Sequence, residues 1–293
     1  MDLQAQADKK KDSDLSVTAL YTAQAWAWAG FDGAELFVND QTRIVFRVTN
    51  LFLAIARLFN WRLRSLKISL AHRHALMDRL IDQYGPDLVL EVASGLSRRG
   101  YAMSKNPDLL YTEIDRPTVV SQKRALLAAG APNLRRPNWT IGEGDALKLN
   151  YEAHLAQGQR PMVVAEGLFM YLDADQQRAM WNGIATALSS KASGAFIFDL
   201  LPQCEQPKPG LFGRFLERLM KLFTGGQAFV HDSRGRDGIK AELLSAGFAK
   251  VDVIEPHQVA ALYDLPHPAY KSQQLLFVCR SGQDARDHLG LPE

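Results

Sequence analysis

Three carboxylates stand directly after short apolar runs. Asp115 ends Leu110–Ile114, Asp145 follows Trp139–Ile141 through Gly142-Glu-Gly, and Glu166 follows Met162–Ala165. A charged group placed just after a buried strand lies at the carboxyl edge of a sheet, where ligand crevices form. Asp115 lies 20 residues after Gly95, and an acid so placed can accept both hydroxyls of a ribose. The same residue could simply cap the helix after it. Asp145 could bond an adenine amino group, although Asp beside Gly also makes an ordinary turn. Glu166 is followed by Gly167, which leaves space beside the strand, and then by the apolar wall Phe169-Met170-Tyr171. A carboxylate there can hold an ammonium or a sulfonium.

These acids must be carried by a turn that a ligand can approach. The stretch Leu88-Val-Leu-Glu-Val-Ala-Ser-Gly-Leu-Ser-Arg-Arg-Gly100 supplies it. It is an apolar run, broken only by Glu91, that passes into a small-residue turn and then a helix start. A dinucleotide fingerprint needs glycine at the first, third and sixth positions of that turn; here they are Ala93, Gly95 and Arg98. The Cβ of Arg98 stands where a pyrophosphate needs close backbone approach. S-adenosylmethionine has no pyrophosphate, so the departure favours it over NAD.

The elements around the turn follow from apolar runs and breakers. Leu15 to Trp28 reads as a helix capped by Ser13 or Asp14. Gln41 to Met77 contains no Asp or Glu but carries Arg43, Arg47, Arg57, Arg62, Arg64, Lys67 and Arg73 among aliphatic and aromatic residues. It reads as one or two basic amphipathic helices. Ala71–Tyr84 is helical and ends at Gly85-Pro86. Strands are expected at 88–92, 110–114, 139–141, 162–165, 195–198, 251–254 and 275–279, the last two as an antiparallel edge pair. Helices are expected at 98–104, 117–129, 174–188, 211–223 and 238–246. Strands alternating with helices specify an α/β fold with a mostly parallel seven-stranded sheet. The expected organisation is a tail over 1–14 and an N-terminal helical cap over 15–78. A core follows over 79–282, with a helical lid insertion at 203–236, and a tail over 283–293.

The composition is ordinary for a globular chain: 293 residues, 47% hydrophobic, 23% charged, net charge +2. Nothing in it points to nucleic acid. Two cysteines far apart, Cys204 and Cys279, make no disulfide framework and fit a reducing cytoplasm. The polar start lacks an apolar signal region. Val48–Phe59 is too short and, with Asn50 and Arg57, too polar to span a bilayer. No Cys/His arrangement suggests a metal.

The ordered motifs resemble the leucine carboxyl methyltransferase family, which includes bacterial polyketide O-methyltransferases. They are Ser16-Val-Thr18-Ala19, Arg73 with Asp78, Ala93-Ser-Gly95-Leu-Ser97-Arg-Arg99, Glu113-Ile-Asp115-Arg-Pro117 and Glu166-Gly-Leu-Phe-Met-Tyr171-Leu172. The resemblance implies a Rossmann-like class I methyltransferase fold with S-adenosyl-L-methionine as cofactor. Arg73 would bind the cofactor carboxylate, Gly95 would lie under its methionine part, Asp115 would take the ribose, and Glu166 would stand near the amino group. Glu91, Ala93, Arg99 and Asp145 complete the expected cofactor set. Ala93 replaces the family's first glycine and Ser97 its usual aspartate.

On the acceptor side the expected substrate is a small apolar acid or phenol. A carboxylate acceptor is already ionised at pH 7 and needs no base, whereas a phenol or alcohol does. Tyr171 and His231 are the candidate catalytic residues, with Asp232, His72 and His74 as further bases. The basic stretch and the 211–223 helix are the expected cover elements: either their apolar faces pack on the core and their basic faces lie in water, or they form a lid that docks on an acidic carrier protein or an anionic membrane surface. A catalytically silent protein of the same fold and an NAD(P)-dependent oxidoreductase are the competing readings.

Overall fold

The computed structural model describes residues 17–59, 64–205, 234–272 and 274–282. Expectations that fall elsewhere lie outside the described residues: the tails, the 211–223 helix, most of the 203–236 insertion, His231 and Asp232. Among the described residues, fifteen elements of five residues or more carry the fold. The chain runs α1 (Val17–Trp28), α2 (Asp40–Phe59), α3 (Leu66–Tyr84), β1 (Leu88–Val92), α4 (Arg99–Met103), β2 (Leu110–Asp115), α5 (Pro117–Gly130) and β3 (Trp139–Glu143). It continues through α6 (Tyr151–Leu155), β4 (Pro161–Ala165), α7 (Ala174–Ser189), β5 (Ser193–Asp199), α8 (Arg236–Ser245), β6 (Lys250–Ile254) and β7 (Leu276–Gly282).

The strands form one sheet in the order β3-β2-β1-β4-β5-β7-β6. β1 to β5 are parallel, and β7 runs antiparallel between β5 and β6. Strand order reverses direction at β1 and β4, so a crevice opens at their carboxyl ends. The side chains alternate between two cores, as a period of two demands. Leu90, Val92, Val163, Phe196 and Phe198 pack with Trp181, Ile184 and Leu188 of α7. Val89, Val164 and Ile197 pack with Leu76, Met77, Leu80 and Ile81 of α3.

Local chemistry explains the borders. Gly85 ends α3 in the left-handed region and donates its N–H to Ile81 O. Pro117 opens α5. Asp173 and Gln176 form a reciprocal capping box at α7. Among the described residues, no helix is long and apolar enough to cross a membrane.

One expectation is corrected here. The basic stretch was read as cover helices with apolar faces turned inward and basic faces in water. α3 instead packs on one face of the sheet with His72, Arg73 and His74 all buried. α2 does the reverse and leaves Ile44, Val48, Leu51, Ile55 and Leu58 exposed.

Candidate functional site

Three consecutive residues of α3 fan out in three directions, since each step turns about 100° around a helix. His72 faces the 266–272 segment: its Nε2–H donates to Pro266 O (2.5 Å), and Nδ1 accepts from Ser272 Oγ (3.1 Å). Arg73 reaches the ends of β4 and β5. Its Nε donates to Glu166 Oε1 (2.9 Å) and its Nη1 to Asp199 Oδ2 (2.8 Å). His74 reaches the first turn, its ring tilted against Trp26 with ring centroids 4.3 Å apart.

Glu166 is the hub. Besides Arg73 it accepts from Arg99 Nη2 (2.7 Å) and His74 Nδ1 (2.8 Å). Arg98 Nε donates to His74 Nε2 (3.1 Å), so the ring proton sits on Nδ1 and the imidazole is neutral. Burial, followed by the neighbouring guanidiniums, pushes His74 down to about 3 in spite of Glu166. Burial alone would raise Glu166; His74, Arg73 and Arg99 together hold it well below the usual carboxylate range.

Arg99 is fully buried and ties three elements together. Its Nε donates to Asp78 Oδ1 of α3 (2.7 Å), its Nη1 to Glu91 Oε1 of β1 (2.5 Å), and its Nη2 to Glu166. Arg98 also pairs with Asp78. Glu91 further accepts from Tyr111 OH (2.7 Å) and Ser97 Oγ (3.3 Å). Ser97, standing where the family has aspartate, also accepts the Arg99 N–H (3.2 Å). Glu91 and Arg99 therefore brace the turn from beneath. Three guanidiniums (Arg73, Arg98, Arg99) face four carboxylates (Asp78, Glu91, Glu166, Asp199) in this buried cluster, leaving one net negative charge.

Asp115 closes the other side of the turn. Its Oδ2 accepts the Gly95 N–H (2.6 Å) and its Oδ1 the Arg116 N–H (2.7 Å). Burial raises its carboxyl against these two donors. Gly95 has φ +56°, and a Cβ built on it meets nothing within 4 Å. The space above the turn is open. Ala93 adopts φ 51°, a left-handed conformation, so the turn keeps a glycine-like backbone without a glycine.

Asp145 is half-exposed and accepts the Leu147 N–H (3.0 Å), the bond of a local turn. It lies beside Asp115 through the Gly144 N–H to Asp115 O bond (2.9 Å). Tyr171, on a short 3-10 helix after β4, donates to Thr18 Oγ1 of α1 (3.4 Å). Burial raises its phenol. His72 and His74, considered as bases, have both ring nitrogens engaged and are fully buried.

Asp199 is the residue that sequence reasoning passed over. It ends β5, pairs with Arg73 and accepts the Gly167 N–H (2.6 Å). Its signal was present, an acid directly after an apolar run, as at Asp115 and Glu166. Among the described residues, no group of three or more His, Cys, Asp or Glu could hold a metal ion.

Comparison with known proteins adds the family. The leucine carboxyl methyltransferase family model matches residues 32–185. A Mycolicibacterium paratuberculosis protein named as an S-adenosyl-L-methionine-dependent methyltransferase is 31% identical over 139 residues, 45% of this chain and 44% of that one. The match thus spans less than half of that relative's length. A Mycobacterium avium protein of the same description is 30% identical over 220 residues, covering 70% of this chain and 67% of its own. Among solved structures, human N-acetylserotonin methyltransferase with its cofactor superposes with a TM-score of 0.49 at 15% identity, over 90% of this chain and 66% of that one. An O-methyltransferase family protein from Burkholderia thailandensis has a TM-score of 0.49 at 12% identity, over 91% and 72%. The family model covers more than half of the chain, and a relative 30% identical is covered over two thirds of its length: this protein belongs to the leucine carboxyl methyltransferase family, whose members use S-adenosylmethionine.

Proposed function

We propose that this protein transfers the methyl group of S-adenosylmethionine to an oxygen of a small apolar molecule, with a carboxylate as the preferred acceptor. One observation carries the reading. A Cβ on Gly95 would meet no atom within 4 Å, the Gly95 N–H is held by Asp115, and Arg73 pairs with Glu166 after β4, the strand beside β1.

The residues present fit the cofactor. Asp115 would accept the ribose hydroxyls from its crevice side, and Gly95 would pass beneath the methionine part. The Nη2 edge of Arg73 faces Gly167, where a Cβ would lie 3.4 Å from it, and that edge would bind the cofactor carboxylate. Asp145 would meet the adenine edge. When bound, the cofactor supplies an electrophilic methyl on a sulfonium. The cluster's net negative charge favours a cationic ligand over a neutral one. The protein's part is to bind, orient and exclude water; aligned groups can supply on the order of 7–11 kcal/mol.

The carboxylate preference rests on the candidate bases among the described residues. His72 and His74 are engaged on both nitrogens, and Tyr171 has a raised pKa. A phenol would need a proton acceptor that these three do not offer. A carboxylate needs only alignment.

Calorimetric titration tests the cofactor half. Adenosylmethionine and adenosylhomocysteine should bind and NAD should not. Asp115→Asn should weaken both adenosyl ligands about ten- to a hundredfold, the worth of hydrogen bonds to a charged group. Absence of adenosyl binding in the parent protein refutes the reading. Methyl transfer from labelled cofactor to panels of apolar acids and phenols tests the acceptor half, and label confined to phenols refutes the carboxylate preference.

A further inference from the structure

Helix α2 shows two faces of opposite character. One face is pinned to the protein. Phe46 packs on Tyr21 with ring centroids 5.2 Å apart, Thr42 Oγ1 donates to Gln24 Oε1 (3.0 Å), and Tyr21 OH donates to Asn50 Oδ1 (3.2 Å). The other face is apolar and exposed: Ile44 61%, Val48 55%, Leu51 65%, Ile55 47% and Leu58 83%. Five large aliphatic side chains in one patch exceed what a solvated surface needs.

Their spacing says what covers them. The steps are four, three, four and three residues, the a/d alternation of a helix-helix seam. At about 100° per residue the five fall within a stripe roughly 80° wide. A helix lying in a membrane surface presents a broader apolar face, whereas a strict a/d stripe is the narrower seam of a helix pair. The stripe is also symmetric about Leu51. Reversed end for end, Val48 exchanges with Ile55 and Ile44 with Leu58. Such a surface is complementary to itself under a two-fold axis, which is what an isologous dimer contact requires.

Charge selects the direction. Arg47 borders the stripe and is exposed, and Arg43 beyond it pairs with Asp40 (3.2 Å). A parallel pair would set the two Arg47 side chains against each other. An antiparallel pair places them at opposite ends. We infer that α2 is a homodimer seam in which two copies pack antiparallel, with Leu51 against Leu51, Val48 against Ile55 and Ile44 against Leu58. A stable interface buries about 800 Å² per partner; the stripe would form its apolar centre, and Asp40, Arg43 and Arg47 its polar rim. This inference is independent of the reaction proposed above.

Sedimentation equilibrium of the full chain at tens of micromolar tests it. The parent protein should have the dimer mass, and V48E/L51E the monomer mass, with adenosylmethionine affinity unchanged and a thermal midpoint that no longer depends on protein concentration. A bismaleimide about as long as the interaxial distance of packed helices, 8–10 Å, tests the direction in a Cys204→Ser background. Leu51→Cys should link to itself. Ile44→Cys should link only when mixed with Leu58→Cys. A monomeric parent, a dimer that survives V48E/L51E, or efficient self-linking of Ile44→Cys overturns the proposal. So does a monomer that binds phosphatidylserine vesicles through the same residues, which would make the stripe a membrane-docking surface.

Discussion

Replacing Glu166 with glutamine removes one charge from the centre of the site and leaves its shape. The parent carboxylate receives Arg73 Nε at 2.9 Å, Arg99 Nη2 at 2.7 Å and His74 Nδ1 at 2.8 Å. Glutamine has one acceptor oxygen for these three donors, and its amide group would point two further N–H groups at them. The side chains of Glu166, Arg73 and Arg99 are each 5% exposed or less, so solvent offers little screening. Breaking a buried pair by removing one partner costs about 3–5 kcal/mol. At roughly 2–4 °C per kcal/mol, the thermal midpoint should fall by about 10 °C. The cluster would also become neutral, three cations against three anions. The affinity ratio of adenosylmethionine over adenosylhomocysteine should therefore drop, because the favoured cation loses its field. Thermal unfolding followed by near-ultraviolet circular dichroism, at low and high salt, reads the first effect, and calorimetry reads the second. Salt should not rescue the midpoint, since buried pairs are weakly screened. A midpoint within about 2 °C of the parent, with an unchanged affinity ratio, would show that the hub carries neither stability nor ligand preference.

Two further outcomes follow from the same site. His74 is neutral with its pKa lowered from 6.5 to about 3, so its contribution is complete above pH 6.5 and is lost as pH falls from 6.5 toward 3. Urea unfolding should lose about 2 kcal/mol between pH 7 and pH 5 from this group alone; a flat profile would refute the neutral assignment. Ala93 holds a left-handed φ of 51°. A93G removes a penalty of about 1–2 kcal/mol and adds about 0.4–1 kcal/mol of unfolded-chain entropy, so it should stabilise by up to about 1.6 kcal/mol in urea unfolding. A93G that destabilises the protein would show that the methyl group packs favourably.

The alternation of strands and helices was legible because its borders are chemical. Pro117, Gly85 and the Asp173–Gln176 box stop or start elements through their own backbones and side chains. α6 was missed because Tyr151–Leu155 is a little more than one turn, too short for a periodic pattern; only the Asn150 side chain, accepting from Ala153 N–H at 3.1 Å, marks its start. The first turn and its acids were legible as strand-end residues, and Asp199 carried the same mark unread. Arg73 stands in a run of arginines and lysines, and only the motif resemblance singled it out, because linear sequence shows charge but not the carboxylates that meet it from β4 and β5.

By itself the sequence determined the fold class, the order of the site motifs and the kind of ligand they could hold. Those depend on local rules: apolar period, breakers, and residue types at strand ends. Tertiary structure alone decided which charges meet. It set Glu166 against Arg73, His74 and Arg99, brought Asp199 across 126 positions to Arg73, and kept His74 neutral. It also turned the aliphatic stripe of α2 outward. Burial and pairing are properties of the whole packed chain, since the cost of a buried charge depends on partners that sequence distance does not record.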